Sequence, residues 1–173
     1  DWSSDVCSSD LGWSGNIVAE PAAEPKTVSD GRMDYATLDL SPAEHETYYA
    51  GFSNATLWPL FHYRLGLIDF RRAQLKGYLA VNARYARALA GLLRPDDTIW
   101  VHDYHFIPLA EMLRRLGVRN PIGFFLHIPF PAPEVLSALP GHEQLTRALL
   151  VYDLVGFQTE IDRHAFERCV IEH

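Results

Sequence analysis

The chain has 173 residues, 48% of them hydrophobic and 21% charged, the size and make-up of a single globular domain. Its formal net charge of -7 excludes an extended nucleic-acid surface but not a phosphorylated substrate, which a few local arginines can hold. The longest apolar runs are strand-sized, well short of the ~20 residues that a membrane helix needs.

Residues 1–11, from Asp1 to Leu11, have neither a helical nor an alternating apolar period, and they lack the basic start and apolar centre of a signal peptide. They resemble the reading-frame translation of a sequencing adapter, so they are expected to be an artefact, disordered and outside the fold, with the domain spanning 12–173. Excluding them removes Cys7 and leaves Cys169 with no internal disulfide partner. A reducing cytoplasm is the simplest compartment for such a chain.

Gly12 to Arg32 is rich in Gly, Pro, Ala and Ser and reads as a loop. Met33 to Leu40 alternates as a strand does. Ser41-Pro42-Ala43-Glu44 is a helix start, with an N-cap Ser, Pro at the first helical position and Glu at the capping-box position. That helix is expected to reach about Phe52, and Asn54 is expected to cap the next. From Asp69 to Leu93 apolar positions recur at three and four residues, the pattern of one long amphipathic helix, with Gly77 as a mild interruption.

Next come two apolar runs that lead straight into polar clusters. Thr98-Ile-Trp-Val-His102 is followed by Asp103-Tyr104-His105, and Ile122-Gly-Phe-Phe-Leu126 by His127-Ile128-Pro129-Phe130-Pro131. A helical pattern through Leu109, Met112, Leu113 and Leu116 separates them. Short helices are expected over about 133–139 and 142–152, then a third strand over 153–158. Thr159-Glu-Ile-Asp162 has a capping-box-like form and opens a last helix. This β-α-β-α-β order gives an α/β fold, a Rossmann-like parallel sheet flanked by helices with right-handed crossovers. Ligands of such sheets bind outside the carboxyl ends of the strands. That places His102, Asp103, His105 and His127 at one rim, with Asp103 and His127 side by side.

Several readings of these residues stand together. His102, Asp103 and His105 could ligate a metal, although alternation along a strand opposes their convergence. Asp103 could accept hydrogen bonds from vicinal sugar hydroxyls, or simply cap a helix beside a satisfied histidine. His127 could be a core histidine, or a functional one held by the stiff Pro-rich exit. Tyr49 and Trp58 could be core aromatics, or platforms for sugar rings. No G-x-G-x-x-G or G-x-x-x-x-G-K-[ST] pattern is present, so the main contacts of any nucleotide would lie outside this chain.

Longer blocks narrow the choice. Ser53-Asn-Ala-Thr-Leu-Trp-Pro-Leu-Phe-His-Tyr-Arg64, Gly77-Tyr-Leu-Ala-Val-Asn82, Trp100-Val-His-Asp-Tyr-His105, Gly123-Phe-Phe-Leu-His-Ile-Pro-Phe-Pro131, Pro133-Glu134 and Asp153-Leu-Val-Gly-Phe-Gln-Thr-Glu160 occur in that order. Together they resemble the N-terminal domain of trehalose-6-phosphate synthases, from about Gly12 to the end. The resemblance implies a retaining GT-B glycosyltransferase that moves glucose from UDP-glucose to glucose 6-phosphate without metal or other cofactor. It implies that Tyr49 and Asp103 contact glucose 6-phosphate and that Trp58 and Ile128 shape the pocket selecting the α-anomer. His127 would contact the donor glucose, with His102 and His105 supporting Asp103.

In that family a glycine loop and a first arginine precede the position of Gly12, and the donor-site arginine and lysine lie in a C-terminal domain. The chain is therefore expected to be a partial N-terminal domain, inactive and weakly stable alone, of a cytoplasmic enzyme that can form homo-oligomers. No nucleic-acid or membrane partner is expected. Rivals are a related synthase with another acceptor, such as glycerol 3-phosphate, and a non-catalytic regulatory subunit of the same fold.

Overall fold

The computed structural model describes residues 9–172. The strand expected before Ser41 forms as β3 (Asp34–Leu40), which buries Ala36, Leu38 and Leu40. β1 (Ser9–Ile17) lies parallel to it and β2 (Lys26–Ser29) antiparallel, in the order β1-β3-β2. The buried Asp39 carboxylate joins all three strands, accepting from Lys26 Nζ of β2 at 2.7 Å and from Ser14 Oγ of β1 at 2.6 Å. The Lys26 bond in particular holds the Asp39 carboxyl below the usual carboxylate range.

Two expectations are corrected here. Gly12 to Arg32 is not a continuous loop, because it supplies most of β1 and all of β2. The fold also begins before residue 12: Ser9, Asp10 and Leu11 pair with Asp34, Tyr35 and Ala36. Strand pairing uses backbone groups that every residue but proline carries in full. A Gly- and Ser-rich segment can therefore complete a ladder whose partner strand supplies the apolar side chains. The disorder expected for residues 1–8 lies outside the described residues.

Ser41 caps α1 (Pro42–Glu44) with the expected capping box: Glu44 N–H donates to Ser41 Oγ, and Ser41 N–H to the Glu44 carboxylate. No new helix starts at Asn54. The chain instead passes without a break through 13 residues of π-helix (His45–Leu57) into α2 (Trp58–Phe61), with Trp58 N–H bonded five residues back to Ser53. A π segment does not repeat at 3.6 residues, so the amphipathic period is lost and Asn54 looks like a boundary. The long helix is α3 (Arg72–Leu92), and it crosses the π-helix where Gly77 faces Thr47.

β4 (Ile99–His102), β5 (Ile122–Leu126) and β6 (Leu154–Phe157) form the expected parallel sheet in the order β4-β5-β6, in register at Ile99 with Ile122 and Phe124 with Val155. α4 (Leu109–Arg115) connects the first pair, and α5 (Pro133–Leu136) with α6 (His142–Leu149) the second; α7 (Glu160–Glu172) follows. Ile99, Val101, Ile122, Phe124 and Leu126 are buried in one core with Tyr78 and Tyr85 of α3 and Leu113 of α4. The sheet's amino-terminal edge is fastened by Asp153, which accepts from Ile122 N–H at 2.7 Å and from Arg114 at 2.8 Å. No helix among the described residues is long and apolar enough to cross a membrane.

At Gly77 an added Cβ would lie 2.1 Å from Thr47 Oγ1 and 2.4 Å from its Cβ. Overpacking at such a crossing costs about 1–3 kcal/mol, more than the ~1 kcal/mol that alanine gains over glycine in a helix. Gly77→Ala should therefore lower stability by up to about 2 kcal/mol in urea denaturation. A midpoint that stays put or rises would show that the two helices can separate at no cost.

Candidate active site

The site is built where β4 and β5 end. After His102 the chain turns at Asp103, whose φ of 72° and ψ of 169° fall in a region that side-chain-bearing residues scarcely occupy. Its N–H still continues the ladder, donating to the Phe125 carbonyl at 2.9 Å. The next three carbonyls are each received by a side chain from beneath. Tyr78 Oη donates to Tyr104 O at 2.7 Å, Asn82 Nδ2 to His105 O at 3.0 Å and Tyr152 Oη to Phe106 O at 2.7 Å. Strain of this kind costs about 1–3 kcal/mol, and three hydrogen bonds at about 1 kcal/mol each are enough to offset it.

The Asp103 carboxylate then does two things. Its Oδ1 accepts from Tyr104 N–H at 3.0 Å, capping the 3-10 turn that follows, and from His127 N–H at 3.3 Å. With two backbone donors on Oδ1, Oδ2 has no partner among the described residues. Asp103 is half-buried and His127 exposed, so both expected residues do emerge together at the carboxyl rim. A depression of about 540 Å³ is lined by Glu111, His142, Gln144 and Arg147 among others, and by neither Asp103 nor His127.

His127 is also held through its carbonyl and through one ring nitrogen. Gln158 Nε2 donates to its carbonyl at 2.7 Å, and its ring Nε2 lies 2.9 Å from His102 Nδ1. The Pro-rich exit is tied down as well. Phe130 N–H donates to the buried Asp162 at 2.9 Å, whose other oxygen accepts from Thr159 Oγ1 at 2.5 Å, and Ala132 N–H donates to Tyr63 Oη at 3.0 Å.

Tyr49 comes from the π-helix and stacks on His105, ring centroids 5.6 Å apart and planes 17° from parallel. This brings a residue 54 positions upstream of Asp103 to the turn that Asp103 opens. Asn54, on the same π-helix, accepts from Tyr104 Oη at 2.8 Å. Trp58 is exposed and stacked on His62 at 4.1 Å. Ile128 is half-buried beside His127, packed on the core. No hydrogen bond or ring contact among the described residues joins Trp58 to Asp103 or His127.

His102, Asp103 and His105 do not converge. His102 turns to His127, while His105 packs between Tyr49 and Tyr104. Among the described residues no group of three or more His, Cys, Asp or Glu side chains is placed to hold a metal ion. The residues that sequence reasoning missed are those that shape the turn and the exit: Asn54, Tyr63, Tyr78, Asn82, Tyr152 and Gln158. Only Asn82 leaves a signal, as an amide at an apolar position of a helix.

Residues 8–172 match the family model of glycosyltransferase family 20. The chain is 54% identical over 156 residues to the trehalose-6-phosphate synthase of Klebsiella pneumoniae, covering 90% of this chain and 33% of that protein. Among solved structures it resembles an α,α-trehalose-phosphate synthase (UDP-forming) from Burkholderia xenovorans in complex with glucose-6-phosphate, with a TM-score of 0.92, 49% identity, and 95% and 36% of the two chains covered. It also resembles an E. coli structure described as trehalose-6-phosphate bound with UDP-2-fluoro glucose, with a TM-score of 0.92, 51% identity, and 95% and 36% covered. The chain thus spans about a third of the length of the relatives it matches. It belongs to glycosyltransferase family 20.

Proposed function

We propose that this chain forms the acceptor side of a retaining glucosyltransferase, which moves glucose from UDP-glucose to glucose 6-phosphate and releases UDP and trehalose 6-phosphate. The observation that carries this reading is the meeting of Asp103 and His127 at the strand ends, where Asp103 Oδ1 accepts from the His127 N–H and Oδ2 has no partner among the described residues. The names of the relatives supply the substrates, since one is solved with glucose-6-phosphate and another with UDP-2-fluoro glucose. As the chain spans a third of their length, the activity is that of this segment joined to the rest of a family-length protein.

The residue roles are those that the family resemblance implies, and side-chain chemistry is compatible with them. A carboxylate with one oxygen committed to the backbone offers the other to sugar hydroxyls in a fixed direction. Tyr49, backed by His105, presents a ring face and a hydroxyl to the acceptor. Trp58 and Ile128 border the acceptor pocket and bear on the α-anomer, and His127 addresses the donor sugar. The bond from the anomeric carbon to the UDP oxygen breaks as the acceptor oxygen bonds to the same face. The acceptor proton passes to the departing phosphate. No protein nucleophile or metal enters this scheme, and the chain contributes positioning and charge complementarity.

Asp103→Asn tests the role directly. The amide can keep Oδ1 on its two backbone donors but turns an NH2 toward the hydroxyls. A hydrogen bond to a charged group is worth about 1.5–3 kcal/mol, so kcat/KM of the full-length protein should fall about 10- to 100-fold. Full activity in this variant, or transfer to glycerol 3-phosphate in preference to glucose 6-phosphate, would end the reading.

His105 yields a second expectation. Burial pushes its pKa below the ordinary 6.5, opposed by the nearby Asp103 charge. Below pH 6.5 the unfolded chain takes up a proton that the folded His105 refuses, so stability is lost as pH falls from there toward the depressed folded value. Urea midpoints should drop between pH 7 and 5.5, and His105→Phe should flatten that drop. An equal drop in both proteins would place the titrating group elsewhere.

A further inference from the structure

His102 has no part in the transfer scheme above, yet among the described residues it makes the side-chain hydrogen bond to the His127 ring. It sits on the same face of the sheet as Trp100, two residues earlier, and packs edge-on to that indole at 6.2 Å. Trp100 in turn lies flat across Gly123 of β5, where an added Cβ would meet its ring at 2.2 Å. One strand over, Phe125 packs on the His127 ring at 4.8 Å. The two imidazoles, which end adjacent strands, stack with centroids 5.2 Å apart and planes 30° from parallel, joined by the 2.9 Å contact from Nδ1 of His102 to Nε2 of His127.

That contact has a definite consequence. A bond between two ring nitrogens needs one N–H and one lone pair, whichever ring supplies the proton. It therefore uses up Nε2 of His127. The main-chain N–H is committed to Asp103 and the carbonyl to Gln158. Nδ1 is then the single polar atom of His127 without a partner among the described residues, and the ring cannot flip, which would put Cε1 in the place of Nε2, without breaking the pair.

We propose that His102 is a positioning residue for the transfer reaction: it locks the His127 ring so that Nδ1, and only Nδ1, is presented to the donor sugar. This inference rests on the donor role given to His127 above. It differs from the expectation that His102 supports Asp103, since its bond goes to His127.

The test uses the full-length protein carrying this segment, with His102→Ala, which removes the bond, and His102→Asn, whose side-chain amide can occupy the place of Nδ1. His102→Ala should lower kcat about 10- to 100-fold, the effect of a misplaced reacting group. Its KM for glucose 6-phosphate should stay within about twofold, because acceptor contacts are untouched. His102→Asn should recover kcat to within about threefold of wild type. Unchanged kcat in the alanine variant, a rise in acceptor KM in place of the kcat loss, or no recovery with asparagine would overturn the proposal.

A second readout separates this inference from the function it rests on. Ring nitrogen chemical shifts of His127, in protein labelled with nitrogen-15 histidine, should change between wild type and His102→Ala. Identical shifts would overturn the locked pair. If wild type makes no trehalose 6-phosphate, the proposed function fails, and a shift change would still establish that His102 orients His127.

Discussion

The site depends on one turn being held against its own backbone preference. Asp103 has a positive φ that an L-residue adopts only under constraint. The constraint comes from beneath, where Tyr78, Asn82 and Tyr152 donate to three successive carbonyls. These donors sit on α3 and at the entry to β6, both packed in the same core as β4. Were the turn to relax, the carboxylate would swing away from the His127 N–H and the two strand ends would lose their link. The core therefore works as the jig in which the turn is bent.

From that turn the remaining geometry follows by short bonds. Asp103 Oδ1 reaches the backbone of the neighbouring strand end, His102 reaches its ring, and Gln158 from beyond β6 reaches its carbonyl. Three adjacent parallel strands thus converge on one histidine. Parallel strands place all their carboxyl ends on one edge, which is why such a convergence is available in this architecture and not in a hairpin sheet. The Pro-rich exit is pinned by Asp162 and Tyr63, so a ligand would meet a backbone already in place. Preorganisation of this kind lowers the cost of orienting a bound molecule.

Some of this was legible from residue order. The apolar runs before Asp103 and His127, the Pro and Glu after Ser41, and the Thr159–Asp162 pair named their elements correctly, because each depends on contacts a few residues apart. The π-helix was not legible: Gly51, Ser53 and Asn54 read locally as a break between two helices, and the contacts it makes, Thr47 against Gly77 and Asn54 with Tyr104, are distant in sequence. β1 and β2 were read as loop for a related reason, since their ladder is stabilised by β3 and by Asp39. The supporting donors Tyr78 and Tyr152 looked like any core aromatic, as no local pattern records where a hydroxyl points.

By itself the sequence determined the α/β class, the strand ends at which Asp103 and His127 stand, and the family whose blocks it carries. Those properties reside in period, composition and short-range caps, which act within a turn or two of chain. Only the tertiary structure decided that Tyr49 stands over His105, that His102 grips His127 and not Asp103, and that the fold begins before Gly12. Each of these is a contact between residues 25 or more positions apart. Such a contact is chosen by the shape of the packed core, which no local stretch of the chain contains.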